Sequence, residues 1–311
     1  MQTVLRTLSK RKMLFVLLGM FVIMSVSSPY FLQGNNISVI FSQIAIYGVA
    51  SVGMAFAIIC GEMDLSIGPV MALCGIILVQ MEMRVGFGLA FVIALLACSG
   101  IGLLNGWLVT KVRISAFVTT LAMMIAINGV SLLVQPAPVP IRIDIFLELG
   151  TGKIGIFPYI FILFVALIIV AQIIMTKTRY GRNIYATGGS VEAAEKAGIN
   201  VIFFKRSVFL LTSVMAGIAG IMLVSKLGSA SATYAPTAAL SSISSLVIGG
   251  VSLSGGRGDA IDAFVGIFIM GIVTNAISIF GISPFNQLWI EGLILIVVVS
   301  ADSIMRNRRS V

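Results

Sequence analysis

The sequence predicts an all-α integral membrane protein, a polytopic bundle of about ten transmembrane helices, some of them broken or re-entrant. Three observations predict it. Of 311 residues, 59% are hydrophobic and 10% charged, against roughly 25% charged in a water-facing domain. The apolar residues recur in stretches of about 20, the length that a ~30 Å hydrocarbon layer asks of a helix. The basic residues lie between those stretches rather than along one face, so the net charge of +9 speaks for membrane topology and not for nucleic acid.

In chain order the apolar segments lie near 13–29, 37–60, 65–81, 87–109, 115–134, 157–175, 207–225, 237–252, 261–280 and 285–303. The first follows a basic start, as a signal peptide would. No small-residue cleavage site comes after it, so it is expected to remain as a span. The third and eighth are short, and the eighth is rich in Ser and Gly; these two are the candidates for broken or re-entrant helices. An outer connection, about 135–156, carries Pro136, Pro138 and Pro140, and an inner one runs over about 176–206. The remaining connections are tight turns, so residues 1–311 read as one transmembrane domain without room for a soluble catalytic core.

With the N-terminus inside and ten crossings, sixteen Lys and Arg fall inside. Four of the twenty, Arg84, Arg142, Lys153 and Lys226, fall outside. That excess places both termini in the cytoplasm, the inside set including Arg6, Lys10, Arg11, Arg306, Arg308 and Arg309.

The chain contains no histidine, which removes imidazole metal sites, Ser-His and Cys-His catalysis, and His proton relays. Cys60, Cys74 and Cys98 sit in or beside apolar runs, without disulfide spacing, and read as small buried hydrophobes. No metal and no cofactor is expected in the chain itself. Close helix packing is expected at Gly102 and Gly106, a GxxxG pair, and at Ser213 with Gly217, Ala216 with Gly220, and Ala122 with Ala126.

The inner connection is the most informative stretch. Ser190 is placed to cap a short helix over 191–197, with Glu192 in its first turn, Lys196 near its end and Gly198 as a left-handed stop. A helix that short is marginal alone in water and must be held by the membrane domain or by a partner. The surrounding run YGRNIYATGGSVEAAEKAGIN resembles the cytoplasmic coupling loop of ribose-type permeases of the ATP-binding-cassette importer superfamily. The match runs through Gly181, Arg182, Tyr185, Ala186, Gly188, Gly189, Ala193, Ala194, Gly198 and Ile199. GEMDLSIG at 61–68 and IGGVSLSGGRG at 248–258 resemble two further motifs of that family, in the family's order.

The resemblance implies a monosaccharide permease subunit in a bacterial inner membrane, paired with a second permease subunit as a homodimer or heterodimer. It also implies cytoplasmic ATP-hydrolysing subunits docked at Gly188, Gly189, Glu192, Ala193, Ala194 and Gly198, and an extracytoplasmic solute-binding protein that delivers the sugar. ATP and Mg would then be bound by the partner. Leu253-Ser254-Gly255-Gly256-Arg257 looks like an ATPase signature, but no GxxxxGK[ST] phosphate loop occurs in the chain. The chain is therefore expected to be no enzyme.

For a pathway or gate the candidates are Asp64, Ser66, Gly68, Asn128, Asn275 and Arg257. The GEMDLS segment is open to two readings: a structured bend at the cavity, with Asp64 capping a helix that begins at Leu65 and Ser66, or a plain cytoplasmic turn with the same cap. Glu291 either pairs with a cation such as Arg257 or sits at the outer interface beside Trp289. Asn105, Asn128, Asn275 and Gln287 either meet a passing sugar or bond between helices. The rival to an ATP-driven importer is an ion-gradient-driven transporter, whose coupling carboxylates would come from Glu62, Asp64 and Glu291.

Overall fold

The computed structural model describes residues 12–307, and helices dominate them. In chain order these are α1 (Lys12–Ser27), α2 (Gly34–Ile59), α3 (Ile67–Val85), α4 (Phe87–Trp107), α5 (Ala116–Val134), α6 (Asp144–Thr151), α7 (Tyr159–Lys177), α8 (Arg179–Gly189), α9 (Val191–Lys196), α10 (Val201–Leu227), α11 (Ala238–Gly249), α12 (Ala260–Ile279) and α13 (Pro284–Asn307). A five-residue π-helix, Leu108–Val112, continues α4, and four two-residue strands complete the description. β1 (Val139–Pro140) pairs antiparallel with β4 (Ser229–Ala230), and β2 (Lys153–Ile154) with β3 (Phe157–Pro158).

Each expected apolar segment contains a helix, but fewer than ten of these helices meet the length of a full crossing. Seven helices among the described residues, α2, α3, α4, α5, α7, α10 and α12, are long and apolar enough to cross a membrane, while α1 and α11 are shorter. The third segment is one continuous 19-residue helix rather than a broken one. Its Pro69 falls in the first turn, where a missing N–H costs no helical bond. The eighth holds one short, continuous 12-residue helix, α11, which non-helical residues 231–237 precede. Arg6, Lys10, Arg11, Arg308 and Arg309, which enter the inside count, lie outside the described residues.

The core gathers around α10, which packs against α2, α3 and α4. Between apolar helices lipid gives no driving force for association, so contact area depends on small side chains. A methyl on Gly102 would fall 2.6 Å from the Phe209 carbonyl oxygen, and one on Gly106 would fall 2.9 Å from Arg206 Cα. On α10, Gly217 abuts Cys98 and Cys74, and Gly220 lies against the backbone of Met71. The expected small-residue pairs on α4 and α10 thus pack within the bundle. Ala122 and Ala126 do not, because both are exposed on α5. Cys60, Cys74 and Cys98 are buried thiols without disulfides.

The bundle has two chemically different ends. At one, β1 pairs with β4, Ile141 N–H donates to Gly228 O at 2.9 Å, and Arg142 N–H donates to Glu82 Oε1 at 2.8 Å. At the other, α8 and α9 fold back onto the ends of α2 and α10.

Candidate functional site: a glycine junction and a polar cavity

The junction begins with three helices that stop in the same way. After α2, α9 and α11 the chain turns at Gly61 (φ +86), Gly198 (φ +77) and Gly250 (φ +110). In each case the N–H one residue later reaches back five positions: Glu62 to Ala57 O, Ile199 to Ala194 O and Val251 to Leu246 O. This is the Schellman stop, in which a left-handed residue lets the chain satisfy the helix's last carbonyls. At the front of α9, Ser190 Oγ accepts from Ala193 N–H at 3.2 Å. The expected capped helix is present, ending at Lys196 with Ala197 as its C-cap rather than as its last residue.

Three distant sequence motifs meet here, backbone against backbone. Gly188, near the end of α8, lies so close to α2 that a methyl group would collide with the Ile59 carbonyl oxygen. That same carbonyl, unpaired within α2, accepts from Gly256 N–H at 2.8 Å. A methyl on Gly255 would stand 2.6 Å from Gly188 O, and one on Gly256 would stand 2.9 Å from Gly189 Cα. Tyr185 clamps the third motif from the side, its hydroxyl donating to Gly258 O at 2.6 Å. Burial, and then the charges of Asp259 and Asp262, push this phenol up to about 12, so it remains a donor throughout the physiological range.

The predicted ATPase-facing residues divide. Gly189, Glu192, Ala193 and Gly198 are exposed, Gly188 is half-buried within the junction, and Ala194 is buried at 2% exposure against the chain's own loop. Above the junction, Lys205 on α10 pairs with Glu62 at 2.6 Å. Asp64 and Ser66 are completely buried. The predicted cap needs correction: the Ser66 N–H and hydroxyl both donate to Asp64 Oδ1, Asn105 Nδ2 donates to Ser66 Oγ at 3.1 Å, and α3 begins only at Ile67. Asp64 therefore ties a turn to α4 instead of capping α3. Asp64 Oδ2 and Asn105 Oδ1 carry no hydrogen bond.

The second feature is a cavity of about 280 Å³, near the lower end of the ~300–1,000 Å³ typical of ligand pockets. Its polar walls are Gln43, Tyr47 and Ser51 on α2, Thr237, Ser241 and Ser245 at and on α11, Thr274 on α12, and Gln287 and Glu291 on α13. Gln43 Oε1 is enclosed and has no partner. Irregular backbone at membrane depth is tolerated where it lines a cavity, and the break before α11 does so through Pro236 and Thr237.

None of the six predicted pathway residues lines this cavity. Gly68 comes nearest, since a methyl there would fall 2.5 Å from the carbonyl oxygen of Ala235, next to Pro236. Asn275 exchanges two amide hydrogen bonds with Asn36, at 2.8 and 3.2 Å, joining α12 to α2. Asn128 is exposed on α5, and Arg257 is exposed in the loop that carries Gly255 and Gly256. Glu291 meets neither Arg257 nor solvent alone: it accepts from Ser241 Oγ at 3.0 Å and from Gln287 Nε2 at 2.9 Å. Of the four span residues offered to a passing sugar, Gln287 does line the cavity, and a signal for the whole wall was present. Gln43, Tyr47 and Ser51, like Ser241 with Ser245 and Gln287 with Glu291, are polar residues spaced by four on apolar helices, which puts each set on one face.

Residues 36–299 match a family described as branched-chain amino acid transport system, permease component. The ribose import permease protein of Haemophilus influenzae is 31% identical over 98% of this chain and 96% of its own length. That of Bacillus subtilis is 32% identical over 92% of this chain and 91% of its own. An L-arabinose ABC transporter permease of Azospirillum brasilense is 33% identical over 97% and 90%. No solved structure matches the chain. A family match across most of the chain, with near full-length relatives above 30% identity, settles what the glycine junction suggests: the chain belongs to this family of transport-system permease components.

Proposed function

We propose that this chain is the membrane-spanning subunit of an ATP-binding-cassette importer that moves a monosaccharide or sugar-like solute into the cytoplasm. Separate ATPase subunits drive it, and an external solute-binding protein supplies it. The relatives named for ribose and L-arabinose support the solute class. The chain is one transmembrane domain in a bacterial inner membrane, crossing ten times with both ends in the cytoplasm. The loop at about 176–206 faces the motor, and a second permease subunit completes the pathway. The exposed Ala122 and Ala126, one turn apart, give α5 a small-residue face on which such a subunit would pack.

The observation that carries the coupling role is the contact of Gly188 with both Ile59 and Gly256. A push on the exposed faces of α8 and α9 reaches the end of α2, and the loop before α12, through backbone alone. Both α2 and α12 wall the cavity, so a displacement at the junction tilts the cavity's own helices.

Two of the three carboxylates that the ion-gradient alternative offers are already engaged or enclosed, and Glu291 is the one that faces the cavity. Glu62 is held by Lys205, and Asp64 is fully enclosed. Uptake into vesicles that survives removal of ATP but collapses with an uncoupler would favour that alternative. The direct test is Ala193→Trp in proteoliposomes holding the permease, its ATPase and its binding protein. Solute uptake per ATP hydrolysed should fall at least tenfold, and an unchanged ratio would discard the docking role of α9.

A further inference from the structure

Resting on the reading of the cavity as a solute station, we propose that Glu291 makes it a charge filter. The site accepts neutral, hydroxyl-rich or cationic solutes and rejects anionic ones such as sugar acids and sugar phosphates.

The chemistry of the lining carries the inference. Glu291 is the charged residue among the described residues that line the cavity; the other polar walls are hydroxyls and amides. No described basic side chain pairs with Glu291. Its two oxygens are held by Ser241 and Gln287, neutral donors that orient the carboxylate without cancelling its charge. Gln287 lies one helical turn before Glu291 on α13 and Ser241 comes from α11, so the carboxylate is fixed from two helices. The groups left for a solute suit hydroxyls: Gln43 Oε1 is enclosed without a donor, and no hydrogen bond among the described residues engages the hydroxyls of Thr237 or Thr274. A sugar hydroxyl can donate to the first and either donate to or accept from the others.

An anion in this cavity meets an uncompensated carboxylate. For two unit charges about 6 Å apart the penalty runs from roughly threefold in a water-like medium to about a hundredfold at an effective dielectric near 20. A neutral solute is indifferent to this field, and a cation is drawn in.

The test reads the field directly. Thr274→Cys places a thiol in the cavity, while the native thiols of Cys60, Cys74 and Cys98 are buried and a parent without the added thiol sets the background. The assembled transporter is treated in proteoliposomes with a cationic and an anionic methanethiosulfonate reagent. The ratio of the two rates is normalised to their ratio on a free thiol. The cationic reagent should be favoured about tenfold or more, Glu291→Asp should keep most of that preference, and Glu291→Gln should abolish it. A ratio that Glu291→Gln leaves unchanged, or a thiol that neither reagent reaches, overturns the filter. The underlying reading fails separately: if the thiol reacts with the expected charge preference, but transported sugar never protects it and modification never blocks uptake, the cavity is charged but is no solute station.

Discussion

The junction around Gly188 and the cavity around Glu291 are built on opposite principles. At the junction, side chains are nearly absent and the parts touch through backbone, so there is no slack: whatever moves Gly188 moves Ile59 and Gly256 with it. In the cavity, side chains of four helices stand apart around about 280 Å³ of space and reach inward with hydroxyls, amides and one carboxylate. The first arrangement is suited to transmitting displacement and has nothing with which to read a solute. The second has the polar groups a solute needs and little backbone contact through which to transmit. A chain that must be pushed from one end and must hold a small molecule elsewhere needs both, and α2 belongs to both, ending at Ile59 and contributing Gln43, Tyr47 and Ser51 to the cavity wall.

The largest effect should follow from Gly188→Ala. The added methyl meets backbone on two sides and cannot be relieved by turning a side chain; overpacking of this kind costs about 1–3 kcal/mol, occasionally more. Uptake should be lost in proteoliposomes while the binding protein still docks. Gly189→Ala one position on, where a methyl meets nothing within 4 Å, should remain active. Equal activity in the two variants would dissolve the contrast between a rigid junction and its surroundings.

Gln43→Ala attacks the other region and should have a different signature. Removing one inward-facing amide costs a bound solute about 0.5–1.5 kcal/mol, so the solute concentration at half-maximal uptake should rise up to about tenfold. The solute moved per ATP hydrolysed should not change. Altered stoichiometry with unchanged concentration dependence would place Gln43 in the transmission path instead.

The same contrast explains what could be read from the sequence. Ser190, Glu192, Lys196 and Gly198 predict α9 almost to the residue, because capping and left-handed stops are local chemistry. The glycine motifs announce the junction, but not that 61–68, 181–199 and 248–258 converge, since contacts between residues far apart in sequence leave no local signature. Asp64 shows the limit of local logic: placed two residues before Ser66, it is as well suited to an Asx-type turn as to a cap, and burial beside Asn105 decides for the turn. The cavity was harder to read. A lone Gln or Ser in an apolar run looks like an interhelical bond, as Asn275 is, and only its neighbours four residues away mark a shared wall.

The smallest expected effect sharpens the junction's side clamp. Tyr185→Phe removes one hydrogen bond, to Gly258 O, a loss of about 0.5–1.5 kcal/mol, visible as a lower thermal midpoint and a modest drop in coupled uptake. The pH dependence has a definite sign. The phenol's value in the folded chain, about 12, lies above its ordinary 10.0, so folding favours the protonated form. That stabilisation is fully present below about pH 10 and disappears as pH rises from there through about 12. The gap in thermal midpoint between the parent and Tyr185→Phe should therefore be constant from pH 6 to about 9 and close at higher pH. A gap that changed within the lower range would mean that the phenol is not what governs how this loop is held against α8.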